Sequence, residues 1–186
     1  MFKTLATAAL VFGASAVAQT EGPLPADAKF TLMALRSASP VHFSSVSAAK
    51  SGLFLQLPNQ EASCDGEAAT QATFYLKDGG LFLYAASATP QQLYADRSGM
   101  GQGVIGFTTG AQPTPKNGER GTFALDANNN LNFNGAAFLA CPNSIDGAWS
   151  LWVSTGVAEP AGNKDCLGVS LRAVEAVNPN GCVYTS

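Results

Sequence analysis

Charge is scarce in this chain. Asp, Glu, Lys and Arg make up 12% of its 186 residues, against about 25% in an ordinary globular protein. That depletion excludes a solvated coiled coil, and a hydrophobic content of 46% excludes bulk disorder. Basic clusters are missing too, and the net charge is −3. The attraction that draws a protein to nucleic acid is therefore lacking. His42 is the single histidine, and no CxxC pair occurs among the four cysteines. A zinc site has too few ligands at the right spacing, so neither a metal nor a cofactor is expected. No Asn-x-Ser/Thr sequon is present, which predicts no N-glycan. No apolar run reaches the ~20 residues of a membrane span. Helix-length periodic segments are absent as well; only AAKSG (48–52) and similar short stretches hint at helix.

What is present begins with an address. Residues 1–18 read MFKTLATAALVFGASAVA. Lys3 supplies a positive start, Leu5 to Gly13 a short apolar core, and Ala16 and Ala18 the −3 and −1 positions of a signal-peptidase site. Cleavage after Ala18 predicts a secreted chain and removes Lys3, leaving a charge of about −4. The C-terminal VNPNGCVYTS lacks the hydrophobic tail of a GPI signal. Residues 19–28, QTEGPLPADA, read as a flexible leader, and 29–186 as one domain.

In a secreted chain, four cysteines imply two disulfides among Cys64, Cys141, Cys166 and Cys182. Three pairings are available. The preferred one joins Cys166 to Cys182 across a short turn-rich loop, and Cys64 to Cys141 between distant strands.

From Phe30 onward short apolar runs alternate with turn residues. FTLMALR, VHFSSVSA, GLFLQL, ATFYLKD, GLFLYA and QQLYAD come first. GVIGFTTG, TFALDA, LNFNG, AAFLAC, AWSLWV and LGVSLRAV follow, with a CVYTS tail. Asp78-Gly79-Gly80 and Asn128-Asn129-Asn130 mark hairpin turns. The class is all-β, with about twelve short antiparallel strands. Phe74-x-Leu76…Leu81 resembles Phe123-x-Leu125…Leu131, and Ile105–Gly110 resembles Leu151–Gly156. A degraded third copy starts at Phe30. Three four-stranded units fit a β-trefoil-like closed barrel, which is preferred; a β-sandwich is the alternative.

Catalytic sets are hard to assemble. GQGVIG places Gly101, Gly103 and Gly106 in a GxGxxG string, but the string enters a β-branched run rather than a helix. These glycines are expected to serve a tight loop. His42 in SPVHFSSVS has no GxSxG partner; alternation puts Val41, Phe43 and Val46 against neighbours and His42 on the other side. Gln19, exposed by cleavage, excludes the copper chemistry that uses an N-terminal histidine. Asp65, Glu67, Asp78, Asp96, Asp126, Asp146 and Asp165 are candidates for the carboxylate pair of a glycoside hydrolase. Most sit in turn contexts that explain them without catalysis. Asp96, beside Arg97 and the glycines Gly99, Gly101 and Gly103, is the best of them; an Asp96–Arg97 clamp bracing the loop is the simpler reading. No catalytic residue is assigned.

Aromatic residues offer binding instead. Trp152, Tyr84 and Tyr94 lie in or beside strands, and such rings stack on sugars. Period-two alternation in AWSLWV puts Trp149 with Leu151 and Val153 on the core side and Trp152 on the opposite face. A carbohydrate-binding wall module, a glycan-active hydrolase and a competitor-directed protein are the alternatives weighed. For the last, a charge of about −4 does not suit cationic membrane disruption.

LYAASATPQQLYADRSGMGQGVIGFTTGAQPTPKNGERG (83–121), ACPNSIDGAWSLWV (140–153), GVAEPAGNKDCLGV (156–169) and SVSAAKSGLFLQL (45–57) together resemble the fungal PhiA cell wall proteins. The long block DRSGMGQG followed by TTGAQPTPKN makes the resemblance specific. It implies a secreted, wall-associated, non-enzymatic protein of filamentous fungi, needed for phialide and conidium development. It also implies a link to stress protection during competition with bacteria and IgE-binding allergens among the members; the scarcity of charge itself suits cell wall polysaccharide as a partner. No catalytic residues carry over from the family. PNQEAS, before Cys64, lacks a sequon, so any family role of a glycan there is not shared.

Overall fold

The computed structural model describes residues 22–87 and 89–186. The expected signal peptide, 1–18, and the start of the leader, 19–21, lie outside the described residues. The strands are β1 (Phe30–Leu35), β2 (Val46–Ala49), β3 (Gly52–Leu55), β4 (Ser63–Cys64), β5 (Thr73–Lys77), β6 (Gly80–Leu83), β7 (Gln91–Asp96), β8 (Val104–Thr109), β9 (Gly118–Glu119), β10 (Phe123–Leu125), β11 (Asn130–Phe133), β12 (Phe138–Cys141), β13 (Trp149–Val153), β14 (Leu167–Glu175) and β15 (Cys182–Val183). Single 3-10 turns stand at Ile145–Gly147 and Pro160–Gly162.

Eight strands close an antiparallel barrel in the order β14-β1-β5-β6-β7-β8-β13-β12 and back to β14. The all-β class and the closed barrel are as the sequence led us to expect. The ring is not built from three equal units, however. The Phe74 hairpin, β5–β6, lies within it, whereas its Phe123 counterpart, β10–β11, is attached to β14 outside it. The repeated letters mark similar hairpins, not equivalent positions.

Alternation decides what fills the barrel. In β7, Gln91, Leu93 and Ala95 point inward while Gln92, Tyr94 and Asp96 point out. Phe30, Leu32, Phe74, Leu81, Phe107, Phe138 and Leu171 are all but fully buried. An eight-stranded ring is just wide enough for such side chains to fill it. Each large apolar group so buried contributes about 1.5–3 kcal/mol.

Three ring strands change partner along one edge. β7 passes from β6 to β9, β14 from β12 to β11, and β13 from β8 to β3. At the last fork Trp152 is opposite Val104 of β8, while Ser150 and Trp149 are opposite Phe54 and Leu55 of β3.

Both disulfides differ from the preferred pairing: Cys64 joins Cys182, and Cys141 joins Cys166. The reason is strand register. Cys64 and Cys182 are direct partners in the β4–β15 ladder. Ala140 opposes Leu167 in the β12–β14 ladder, so the next step brings Cys141 opposite Cys166. The Cα atoms stand 4.0 and 4.2 Å apart, close to the narrow pair spacing of an antiparallel ladder.

The C-terminal segment is strapped across one end of the barrel. Cys182 N–H donates to the Tyr84 carbonyl at 3.0 Å. Tyr184 is 3% exposed, and its hydroxyl accepts from the Thr73 amide at 3.2 Å. Thr185 accepts the amide protons of Lys50 and Ser51, each at 3.0 Å. Those two residues form the two-residue β2–β3 turn, both with positive φ, as a type I′ hairpin requires. The AAKSG helix hint is therefore corrected: it is a strand end and a turn.

Residues 22–28 run beside the β10–β11 turn. Leu24 N–H donates to Asn129 Oδ1 at 2.9 Å, and Asn129 Nδ2 donates to the Gly22 carbonyl at 3.0 Å. Phe43 is 65% exposed, contrary to the inward position expected for it. Its φ of 63° takes it out of strand alternation, and of VHFSSVSA (41–48) only Val46, Ser47 and Ala48 belong to a strand, β2.

Candidate functional site

A cleft of about 330 Å³ opens at the β13 fork. β8 and β3 both leave the same edge of β13 there, so the sheet parts and side chains line the gap. Val104, Ile105 and Leu151 supply apolar wall, with Trp152 and Tyr94 beside them. Ser51, Ser144, Ser150 and Asn163 supply polar groups, and Lys50 the one charge among its lining residues.

Both aromatic rings are held in place. Trp152 Nε1 donates to Ser150 Oγ at 3.0 Å. Tyr94 lies across Gly106, directly opposite it on β8. A Cβ at Gly106 would stand 2.5 Å from the Tyr94 oxygen and 2.6 Å from Cζ, so only glycine leaves room for the ring. Burial, and secondarily the charge of Asp96, raise the Tyr94 phenol above its ordinary value. It stays a neutral O–H donor at any physiological pH.

Tyr84 does not share this cleft. Its ring lies 5.9 Å from Lys29 Nζ, which also sits 5.5 Å from the Tyr75 ring. Tyr75 in turn stacks on Phe82 at 5.1 Å. Two of the three aromatics singled out in the sequence therefore meet, and the third belongs to a separate outer patch.

The DRSGMGQG loop joins β7 to β8, between Tyr94 and Val104 of the cleft. Asp96 and Arg97 do not clamp each other. The Ser98 amide donates to Asp96 Oδ1 at 2.9 Å, and Gly103 N–H donates to the Asp96 carbonyl at 2.8 Å. Arg97 instead forks onto Glu119, at 2.9 Å from Nε and 2.6 Å from Nη2. A Cβ on Gly101 would collide with Asp96, and one on Gly103 with the Val153 carbonyl. Gly99 has open space around it, beside Met100 at the exposed tip. Gln102 Oε1 accepts from Ala161 N–H at 2.7 Å, holding the segment that carries Asn163 to the rim. After Gly103 the chain enters β8, not a helix.

A second, polar groove of about 620 Å³ is lined by Arg97, Ser98, Asn117, Glu119, Ser154 and Thr155. Its carboxylate is poorly suited to acid catalysis. A general acid must be held protonated, whereas the hydrogen bonds and charge of Arg97 lower the Glu119 pKa. Asp96, opposite Gly118 on β9, lies near enough for its charge to oppose that shift, the effect of Arg97 being the larger. Asp78, Asp146 and Asp165 have positive φ at turns. Asp126 accepts the amides of Asn128 and Asn130, each at 2.8 Å. His42 Nδ1 accepts the Arg36 amide proton at 3.1 Å. Among the described residues no group of three or more His, Cys, Asp or Glu is placed to hold a metal ion.

Residues 30–185 match the family described as PhiA-like secreted protein. The chain belongs to the PhiA family. It is 56% identical over 161 residues to cell wall protein phiA of Aspergillus fumigatus, covering 87% of each chain. It is 50% identical to cell wall protein phiA of Aspergillus niger, covering 95% of this chain and 97% of that one. With cell wall protein phiA of Emericella nidulans it is 48% identical over 185 residues, 99% and 100% of the two chains. No solved structure matches the chain. The PhiA match begins with β1 and ends beyond β15, so the barrel, the strap and both disulfides lie inside it.

The fork itself escaped sequence reasoning. Gly106, opposite an aromatic residue inside a strand, was its one available signal, because glycine within a strand marks close approach of another group.

Proposed function

We infer that this PhiA-family chain is a secreted, non-enzymatic cell wall protein that supports phialide and conidium formation and stress protection. The observation that carries the reading is likeness along nearly the whole chain to relatives named cell wall proteins. The physical character of the molecule supports it. Few charges suit a matrix of neutral polysaccharide, and two cross-strand disulfides suit survival outside the cell. Glu119 is bonded to Arg97, Asp96 to the Ser98 amide and Asp126 to turn amides, and the Glu119 pKa is lowered rather than raised as a general acid requires.

Deleting the gene in its own fungus tests this reading. Fewer normal phialides and a lower conidial count are expected. Unchanged phialides and spore numbers, with no paralogue compensating, overturn it.

A further inference from the structure

We propose that the cleft at the β13 fork binds a sugar ring of a β-linked, neutral wall polysaccharide, with Trp152 and Tyr94 as its platform. The inference rests on the wall reading for the polymer it meets; the shape and chemistry of the cleft stand independently. A β-linked pyranose with equatorial hydroxyls presents a flat C–H face and a polar rim. The cleft offers the complement: two flat aromatic side chains, with serine hydroxyls and the Asn163 amide around them.

Preorganisation favours this use. The Trp152 N–H is already bonded to Ser150, so its indole contributes a face rather than a donor. The Tyr94 ring rests on Gly106, and its phenol keeps its proton. Little side-chain ordering is left to oppose binding. The charge pattern selects the ligand class. No carboxylate lines the cleft and Lys50 sits at its edge, so a cationic ligand is disfavoured. A purely apolar ligand would cover the hydroxyls of Ser51 and Ser144 without giving them a partner. At about 330 Å³ the cleft is small, near the bottom of the ~300–1,000 Å³ range of ligand sites. It suits a chain end or a short stretch, with a Kd on the order of 0.1–1 mM for a sugar-sized ligand. Many copies in a matrix would turn such weak contacts into retention.

The equatorial β-pyranose has two sources in a wall, β-1,3-glucan and chitin, and the test separates them. The secreted, disulfide-bonded protein is titrated with laminarihexaose and, separately, chitohexaose while the indole N–H resonances are followed by NMR. Trp149→Phe identifies the Trp152 signal. The proposal expects that signal to shift on saturation with at least one oligosaccharide, and the one that acts names the polymer. Trp152→Leu, which keeps apolar volume, and Tyr94→Leu, each followed by the backbone amide shifts of the cleft residues because the first removes the reporting indole, should each weaken binding at least tenfold. Tyr84→Leu, outside the cleft, should not change it. No shift with either sugar, or binding untouched by both cleft substitutions, overturns the proposal. Because the wild-type shift needs no variant, a misfolded substitution does not rescue it. A negative result with a sporulation defect still present after gene deletion would remove the cleft and leave the wall reading standing.

Discussion

The side-chain amide of Gln91 bonds both backbone groups of Tyr184. Its Oε1 accepts the Tyr184 N–H at 2.8 Å, and its Nε2 donates to the Tyr184 carbonyl at 2.8 Å. Gln91 is 0% exposed. A glutamine inside the barrel thus acts as the strand partner that Tyr184, one residue past the β4–β15 ladder, lacks. Gln91→Leu fits the space but leaves an N–H and a carbonyl unpaired in a dry interior. We expect a loss of roughly 2–5 kcal/mol, read as a lower urea midpoint. A loss under ~0.5 kcal/mol, the scale of a surface substitution, would show that the strap is held elsewhere.

Tyr184 makes the strap sensitive to alkali. Burial pushes its phenol up to about 12, against the small opposing effect of the Thr73 amide. The unfolded phenol ionises near pH 10. Between these values the folded state holds the proton and the unfolded state does not, so stability falls as pH rises. The full contribution is present below pH ~10, and the slope through the window is about 1.4 kcal/mol per pH unit. Tyr184→Phe should flatten this part of the profile while lowering neutral-pH stability by about 1 kcal/mol through the unpaired Thr73 N–H. Denaturation at pH 8 to 12 checks it; parallel slopes for the two proteins would contradict the assignment.

The glycines of the braced loop differ in what they permit. Gly103 has φ +99° and faces the Val153 carbonyl, while Gly99 has no neighbour within 4 Å. Gly103→Ala should cost roughly 2–4 kcal/mol. Gly99→Ala should stay within ~0.5 kcal/mol. Thermal midpoints of the two variants measure the contrast, and equal effects would mean that the loop does not dock on β13.

Reduction should not affect the two disulfides equally. Cys64–Cys182 closes a separation of 118 residues and Cys141–Cys166 one of 25. In the chain-entropy treatment these are worth about 5 and about 3.5 kcal/mol. Cys64→Ala/Cys182→Ala is therefore expected to destabilise more than Cys141→Ala/Cys166→Ala. Peptide mapping of the oxidised protein should recover these two pairs, and a Cys166–Cys182 peptide would contradict the register that brings the partners together.

Local pattern made much of this fold legible. The alternation in AWSLWV placed Trp149 against the core and Trp152 outside, and Asp78-Gly79 forms the β5–β6 turn that its letters suggested. Lateral position around the ring was not legible, because it depends on pairings between distant segments. Tyr84 and Tyr94 both point outward, yet Tyr94 leans over β8 while Tyr84 lies by Lys29. The same limit hid the disulfide partners, since β4 meets β15 and β12 meets β14 only after the barrel closes. Lys50-Ser51 lacks the Asn-Gly letters that tolerate positive φ, and its amides are instead held by Thr185 at the far end of the chain.

The central claim is that a folded, stapled barrel supports sporulation without turning over a substrate. Complementing a deletion strain tests it most directly. A protein carrying Asp96→Asn and Glu119→Gln, secreted and folded, is predicted to restore phialides and conidia to the level of the unaltered chain. One lacking the Cys64–Cys182 bridge is predicted not to. Failure of the folded carboxylate variant to restore sporulation would contradict the account.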